Sequence, residues 1–306
     1  MNPAPTYDLL GTPVTLRVGD PMVRDEITRL AAGLPLVATA KARLLDLRAT
    51  EQDRWSLFED DRLVRAEMDR SEALTLILWR LNRLAAASTT HVVVHAGAVT
   101  LGGRAVILSG AMNTGKSTLV AALGRNGFDI LSDEHAPIDL LSGRVCPYRL
   151  PLQLDPTSMA VLGGLHAATP PSLRDPERVR LLPSEVRKGS EAIAAPPTLV
   201  IFPEYRRGAP LALERIGPSE GLRRLAEQTL NLPVLGHEAL RVLRRLVLGI
   251  GGAYSLVLDD LETACDTLLA LTMSDKRYVA RPMPAHSIRP TVYEGRADSR
   301  ALSEGT

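Results

Sequence analysis

"GAMNTGKSTLVAALGRNGFDILSDEH", Gly110 to His135, decides how this chain is read. Gly110, Ala111, Met112, Asn113, Thr114, Gly115, Lys116 and Ser117 fit G-x-x-x-x-G-K-[ST], the Walker A pattern of a phosphate-binding loop. The glycines let the backbone curl so that successive N–H groups point inward. A helix opening at the loop turns its partial positive charge towards phosphates. Lys116 can neutralise charge on the β- and γ-phosphates of ATP. The Ser117 hydroxyl suits magnesium (Mg2+), and Thr118 continues the same first turn. The context agrees: the apolar strand "RAVILSG" precedes the loop, and "KSTLVAALGRNG" reads as a helix closed by Gly124 or Gly127.

The stretch ends on acids. "FDILSDE" reads as a strand, and Asp133 follows Lys116 by only a loop, a helix and that return strand. A carboxylate there can bind the Mg2+ that bridges phosphates, or take the proton from an attacking hydroxyl. If the strand continues, Glu134 points the opposite way, so one acid serves the site and the other supports it. His95 ends a second apolar strand, "HVVVH". Beside a carboxylate it would orient that group and raise its basicity; in an apolar strand it would equally serve as a satisfied core residue. His91, His135, His166 and His237 read as structural or surface residues. Arg149, Arg206, Arg207 and Lys188 are candidates to clamp a transferred phosphoryl group.

Outside this stretch the 306 residues read as α/β. Residues 1–90 form a small N-terminal α/β region. It holds a strand at "TPVTLRV", a helix at "MVRDEITRLAAGL", and strands in "ARLLDLRA" and "RWSLFEDDRLVRAEM" turning at Glu59-Asp60-Asp61. Asp69 and Glu72 then form a capping box for a helix that buries Leu74, Ile77, Leu78 and Leu81, with Arg80 and Arg83 on solvated or interdomain surface. Residues 91–273 carry the phosphate loop and later strands in "RVCPYRLPLQL", "TLVIFPEY", "LALERIG" and "AYSLVLD". Residues 163–197, rich in proline, read as a long excursion of the kind that forms lids or binding loops. Residues 274–306 lack a hydrophobic period and read as a disordered tail.

The bulk numbers exclude several classes. A net charge of +1 points to neither nucleic acid nor an anionic membrane. Two cysteines without metal-ligand spacing argue against a disulfide scaffold. The N-terminus lacks the regions of a signal peptide, and the longest apolar stretch, Leu246–Leu258, is too short for a bilayer. The expectation is a cytoplasmic protein with no membrane partner. No N-K-x-D guanine-reading string appears.

At the residues quoted, the chain resembles the catalytic domain of HPr kinase/phosphorylase. It is more similar still to HPr-kinase-related proteins encoded beside peptide-modification genes. "HAGAV" (His95–Val99), the glycine loop and "LSDE" (Leu131–Glu134) carry the resemblance, with "FPEYRRGA" and "EQTLN" as later landmarks. "DEH", Asp133–His135, is also similar to phosphoenolpyruvate carboxykinase, and the short lysine-to-acid spacing is a feature of that group. The resemblance implies a P-loop-containing HPr-kinase/phosphoenolpyruvate-carboxykinase-like core. It implies Lys116 and Ser117 as phosphate and metal holders, Asp133 as base, Glu134 as a metal or supporting ligand, and His95 as partner of the acids. Glu134 replaces the family's second Asp, Gly127-Phe128 replaces its Gly-His, and its Arg-Asn-rich C-terminal signature is missing. The expected activity is transfer of the γ-phosphoryl of ATP to a hydroxyl of a peptide or small protein. The alternatives are a small metabolite as acceptor, or a nucleotide-binding regulator without turnover. A homo-oligomer is compatible with the resemblance.

Overall fold

A computed structural model describes residues 4–190, 193–249 and 252–274. Its first part is a five-stranded sheet in the order β1 (Thr6–Leu9), β2 (Thr12–Val18), β3 (Arg43–Ala49), β4 (Trp55–Glu59), β5 (Arg62–Met68). β2 and β3 are parallel, so a crossover must join them, and helix α1 (Pro21–Leu30) supplies it. Asp20 caps α1 by accepting from the Val23 N–H, and Pro21 opens it without wasting a donor. The β4–β5 hairpin turns on Asp60 and Asp61, both at positive φ (48° and 64°), which matches the right-handed twist of the flanking strands. Helix α2 (Arg70–Ala85) starts from the expected capping box of Asp69 and Glu72. Leu74, Ile77, Leu78 and Leu81 pack with Trp55, Leu45 and Leu57 in one cluster, which reaches Val93, Tyr148 and Leu150 further along the chain. Arg83 is exposed as expected, but Arg80 is largely covered and pairs with Glu59.

The second sheet is mixed. Its order is β13 (Ala212–Ile216), β14 (Ala253–Leu258), β12 (Pro197–Tyr205), β7 (Arg104–Ser109), β6 (His91–Leu101), β8 (Asp129–Ser132), with β9 (His135–Asp139) also paired to β6. β14, β12 and β7 run parallel, and the near-continuous burial of β12 and β7 is that of strands covered on both faces. Helices α3 (Lys116–Arg125) and α9 (Leu261–Ser274) share a core on one face. Helices α6 (Pro218–Glu227) and α8 (His237–Gly249), with the short α7 (Leu232–Leu235) between them, cover the other. The architecture is α/β.

Two expectations change. "FDILSDE" is not one strand: β8 stops at Ser132, and the chain resumes as β9 at His135. The Ser132 hydroxyl hydrogen-bonds the main chain of His135 at both its N–H and its carbonyl, and so offers the backbone a turn in place of the ladder. His95 does not end its strand. It lies within β6 where the partner switches from β9 (residues 91–95) to β8 (98–100). "RVCPYRLPLQL" supplies one strand, β10 (Leu152–Leu154), and no second, because Pro147 and Pro151 withdraw N–H donors on either side of Tyr148–Leu150.

Among its described residues the 163–197 segment holds little regular structure, as expected. After α4 (Pro156–Leu162) it makes a single 3-10 turn, β11 (Val179–Leu181) paired to β10, and α5 (Pro183–Val186). Arg29 of α1 straps it down, donating to Glu185 at 2.9 Å and to Thr169 at 3.0 Å. The expected disorder of residues 274–306 falls, beyond Ser274, outside the described residues. Among the described residues no helix is long and apolar enough to cross a membrane.

Gly97 sets how closely α3 approaches the sheet. A Cβ there would lie 2.4 Å from Val120 Cγ2 on α3 and 3.5 Å from the Asp133 carbonyl. Gly97→Ala must therefore push the helix off the strand. The expected loss is about 1–3 kcal/mol of stability, read by urea unfolding. A variant as stable as the wild type would show that the helix has room to move.

Candidate functional site

Strand β7, buried from Ala105 to Ser109, delivers the chain to Gly110 at its C-terminal end. The loop then turns through Asn113 at φ 62° and Gly115 at φ 86°. Asn tolerates this region, and Gly115 occupies it as the cap of α3 without a Cβ penalty. The Thr114 hydroxyl donates to the Ala111 carbonyl at 3.0 Å, and the Tyr205 N–H of β12 holds the Thr114 carbonyl at 3.2 Å. No side chain caps α3, so its first-turn N–H groups face the loop without a protein cap. Ala111, Met112 and Asn113 are exposed at the tip.

Lys116 is buried, and its Nζ turns back to donate to the carbonyls of Gly110 (2.8 Å) and Ala111 (2.6 Å). Burial pushes its pKa down, while Asp133 and Glu134 work in the opposite direction. The ammonium is thus parked inside the loop, close to both acids. The Ser117 side chain lies beside Asp133. The Thr118 hydroxyl is engaged by Ser158 of α4 at 2.7 Å.

Asp133 and Glu134 occupy the β8–β9 turn and diverge. Asp133 is buried, with the Ser117 hydroxyl and the Gln153 main chain beside it. Burial raises its pKa to about 7. Glu134 adds to the rise, and Ser117, Gln153 and Lys116 oppose it. Its Oδ1 has no hydrogen-bond partner among the described residues. Glu134 instead accepts from Asn82 Nδ2 of α2 at 2.9 Å. Burial raises its pKa as well, against Arg178 and Lys116. The turn, α2 and β10 enclose a crevice lined by Asn82, Asp133, Glu134, Tyr148 and Gln153. Asn82 and Gln153 carry no sequence signal. One is a single polar residue on a helix, the other sits in a proline-flanked segment, and only folding brings them to the acids.

His95 is half-buried and lies opposite His135 in the β6–β9 ladder. Its polar partner is the Glu134 main chain rather than a carboxylate, and burial, then Lys116, lowers its pKa. It supports the turn that carries the acids. Among the candidate clamps, Arg206 and Arg207 follow Tyr205 beside the loop, with Arg206 paired to Glu204 at 2.6 Å. Arg149 is spent on the Ser190 carbonyl, and Lys188 is exposed in the 163–197 segment.

His135 is a core residue, stacked on Tyr148 at 5.7 Å between ring centroids. Burial, then His95, lowers its pKa to about 3. Between pH 6.5 and about 3 the unfolded chain therefore binds a proton there that the folded chain refuses, and stability falls as pH falls through that window. His135→Phe keeps the stack and removes the titration. At pH 4.5 the variant should lose about 2–3 kcal/mol less than the wild type does, relative to pH 7.5. Parallel pH dependence of the two denaturation midpoints would refute this.

Among the described residues, no cluster of three His, Cys, Asp or Glu side chains could hold a metal by itself. A magnesium–nucleotide site needs fewer, because phosphate oxygens and water complete the octahedron. The unpaired, buried Asp133 Oδ1 beside Ser117 fits that role. No family model and no curated protein matches the chain.

Proposed function

We propose that the chain is an ATP-dependent phosphotransferase with a P-loop core of the HPr-kinase kind, acting on a hydroxyl of a peptide or small protein. The observation that carries this reading is Asp133: a buried carboxylate with a free oxygen, beside Ser117 and within the field of Lys116, at the mouth of a glycine loop. A carboxylate with a pKa near neutrality is matched to taking a proton at physiological pH.

In this reading the loop N–H groups and the α3 N-terminus hold the phosphates of ATP. Lys116 exchanges its loop carbonyls for phosphate oxygens and neutralises charge as the γ-phosphoryl moves. Ser117 and Asp133 would hold Mg2+, which supplies further charge neutralisation across the phosphates. The acceptor oxygen bonds to the γ-phosphorus, ADP leaves, and the hydroxyl proton passes to Asp133. Glu134, tied to Asn82, and His95, on the Glu134 main chain, keep the acid turn in place.

Intact-mass spectrometry with Mg-ATP tests the reading. The acceptors offered are peptides encoded beside the gene, then small hydroxyl metabolites, with Lys116→Ala as control. Gain of one phosphoryl mass on an acceptor, lost in the control, supports a kinase. ATP binding with no transfer to any acceptor would make the chain a nucleotide-binding regulator instead.

A further inference from the structure

The segment between Leu165 and Arg180 folds against α4 around a cavity of about 220 Å3. Its walls are of two kinds: Met159, Leu165, Ala167 and Val179 are apolar, while Arg174, Arg178 and Arg180 bring charge. Asp175 is the one carboxylate in the lining, so positive charge is in excess even with His166 neutral. Arg180 is buried, at 2% exposure. It reaches Thr75 of α2 with Nη2, the Leu173 carbonyl with Nη1 at 3.4 Å, and Asp175 at 3.5 Å. Its Nε has no partner among the described residues. A buried guanidinium N–H left unused is costly, and a ligand would relieve it. Arg174 spends its Nε on the Thr169 carbonyl at 3.0 Å. Arg178 is exposed and makes no hydrogen bond or ion pair to a described residue.

The cavity lies one cross-strand pair from the crevice of the acids. Arg180 lies opposite Gln153 in the β10–β11 ladder, and Gln153 lines the crevice of Asp133 and Glu134. Arg178 is within electrostatic reach of Glu134. The apolar walls disfavour a fully hydrated dianion such as free phosphate, and the arginine forks suit a carboxylate.

We propose that this cavity binds the phosphoryl acceptor through a carboxylate carried on an apolar body, held by Arg178 and Arg174 beside the buried Arg180; the proposal rests on the kinase reading above. A small acid and the end of a peptide share that chemistry, and the test separates them. Calorimetry compares N-acetyl-leucine and an acetylated tetrapeptide ending in leucine, each as free acid and as amide, with inorganic phosphate as the charge-only probe. The free acids should bind at least about tenfold more tightly than their amides and than phosphate. Arg178→Gln, an exposed and unbonded position, should remove about tenfold of that affinity, and Arg174→Gln should act in the same direction. The tighter of the two acids identifies the source. Equal binding of acid and amide, or an Arg178→Gln protein indistinguishable from wild type, would overturn the proposal. Binding of a fluorescent ATP analogue is followed in the same samples. Nucleotide binding without acid selectivity sinks this proposal alone. Acid selectivity without nucleotide binding sinks the kinase reading, and with it the acceptor role of the cavity.

Discussion

Asp133→Asn is expected to stabilise the nucleotide-free protein by about 2–4 kcal/mol at pH 8 and to slow phosphoryl transfer by about 10²–10⁴-fold. Both effects have one cause. Burial raises the Asp133 pKa from 3.8 to about 7. Below pH 3.8 the carboxyl is neutral in both states and contributes nothing to the pH dependence. Between 3.8 and 7 the folded chain holds a proton that the unfolded chain has lost, so stability declines as pH rises. Above 7 the full cost of a buried, half-partnered anion is present. Asparagine never carries that charge, so the advantage of the variant should grow from pH 4 to pH 7 and then level off. In the proposed mechanism the same substitution removes the proton acceptor. Urea unfolding at pH 5 and pH 8, with single-turnover transfer at pH 8, reads both arms. A variant less stable than wild type at pH 8 would mean that the carboxylate is better solvated than its burial implies. The slope also opposes that of His135, two residues away, whose contribution falls as pH falls. Asp133→Asn and His135→Phe should therefore change the pH dependence of stability in opposite directions.

Lys116→Ala is expected to weaken ATP binding by about 10²-fold and to abolish detectable transfer, while the thermal midpoint moves by only a few degrees. Without nucleotide the buried ammonium hydrogen-bonds the Gly110 and Ala111 carbonyls and interacts electrostatically with Asp133 and Glu134. Its loss costs two charge-assisted hydrogen bonds but also relieves the burial that lowers its pKa. With nucleotide, nothing else in the loop carries a positive side chain to the phosphates. Lys116 also helps to hold the Asp133 pKa down, so in the variant Asp133 should titrate higher still. Titration with a fluorescent ATP analogue and a melting curve decide the matter. Unchanged affinity would remove Lys116 from the phosphate site.

Local chemistry makes much of this legible in the amino-acid sequence. Caps and turns act within a few residues, so the Asp69–Glu72 box, the Asp60-Asp61 turn and the strand–glycine loop–helix unit are readable from spacing alone. So is the approach of Asp133 to Lys116, because one helix and one return strand leave the chain little freedom. The turn at Ser132 is harder to see. A serine hydroxyl that bonds the main chain three residues on competes with the ladder, and nothing in "ILSDEH" says which wins. The proline-rich 163–197 segment reads as a long excursion, and its contacts with Arg29 of α1 are not legible, because that residue lies far away in sequence.

The α/β pattern, the glycine loop and the pair of acids beside it are all written in the order of the residues, since each depends on contacts between near neighbours. Folding alone settles which way each acid points, that Asn82 and Gln153 attend them, and that Arg174, Arg178 and Arg180 gather around one cavity. Those outcomes depend on side chains brought together from distant parts of the chain. Burial sets their energies, and burial is a property of the packed whole, which no local stretch of residues encodes.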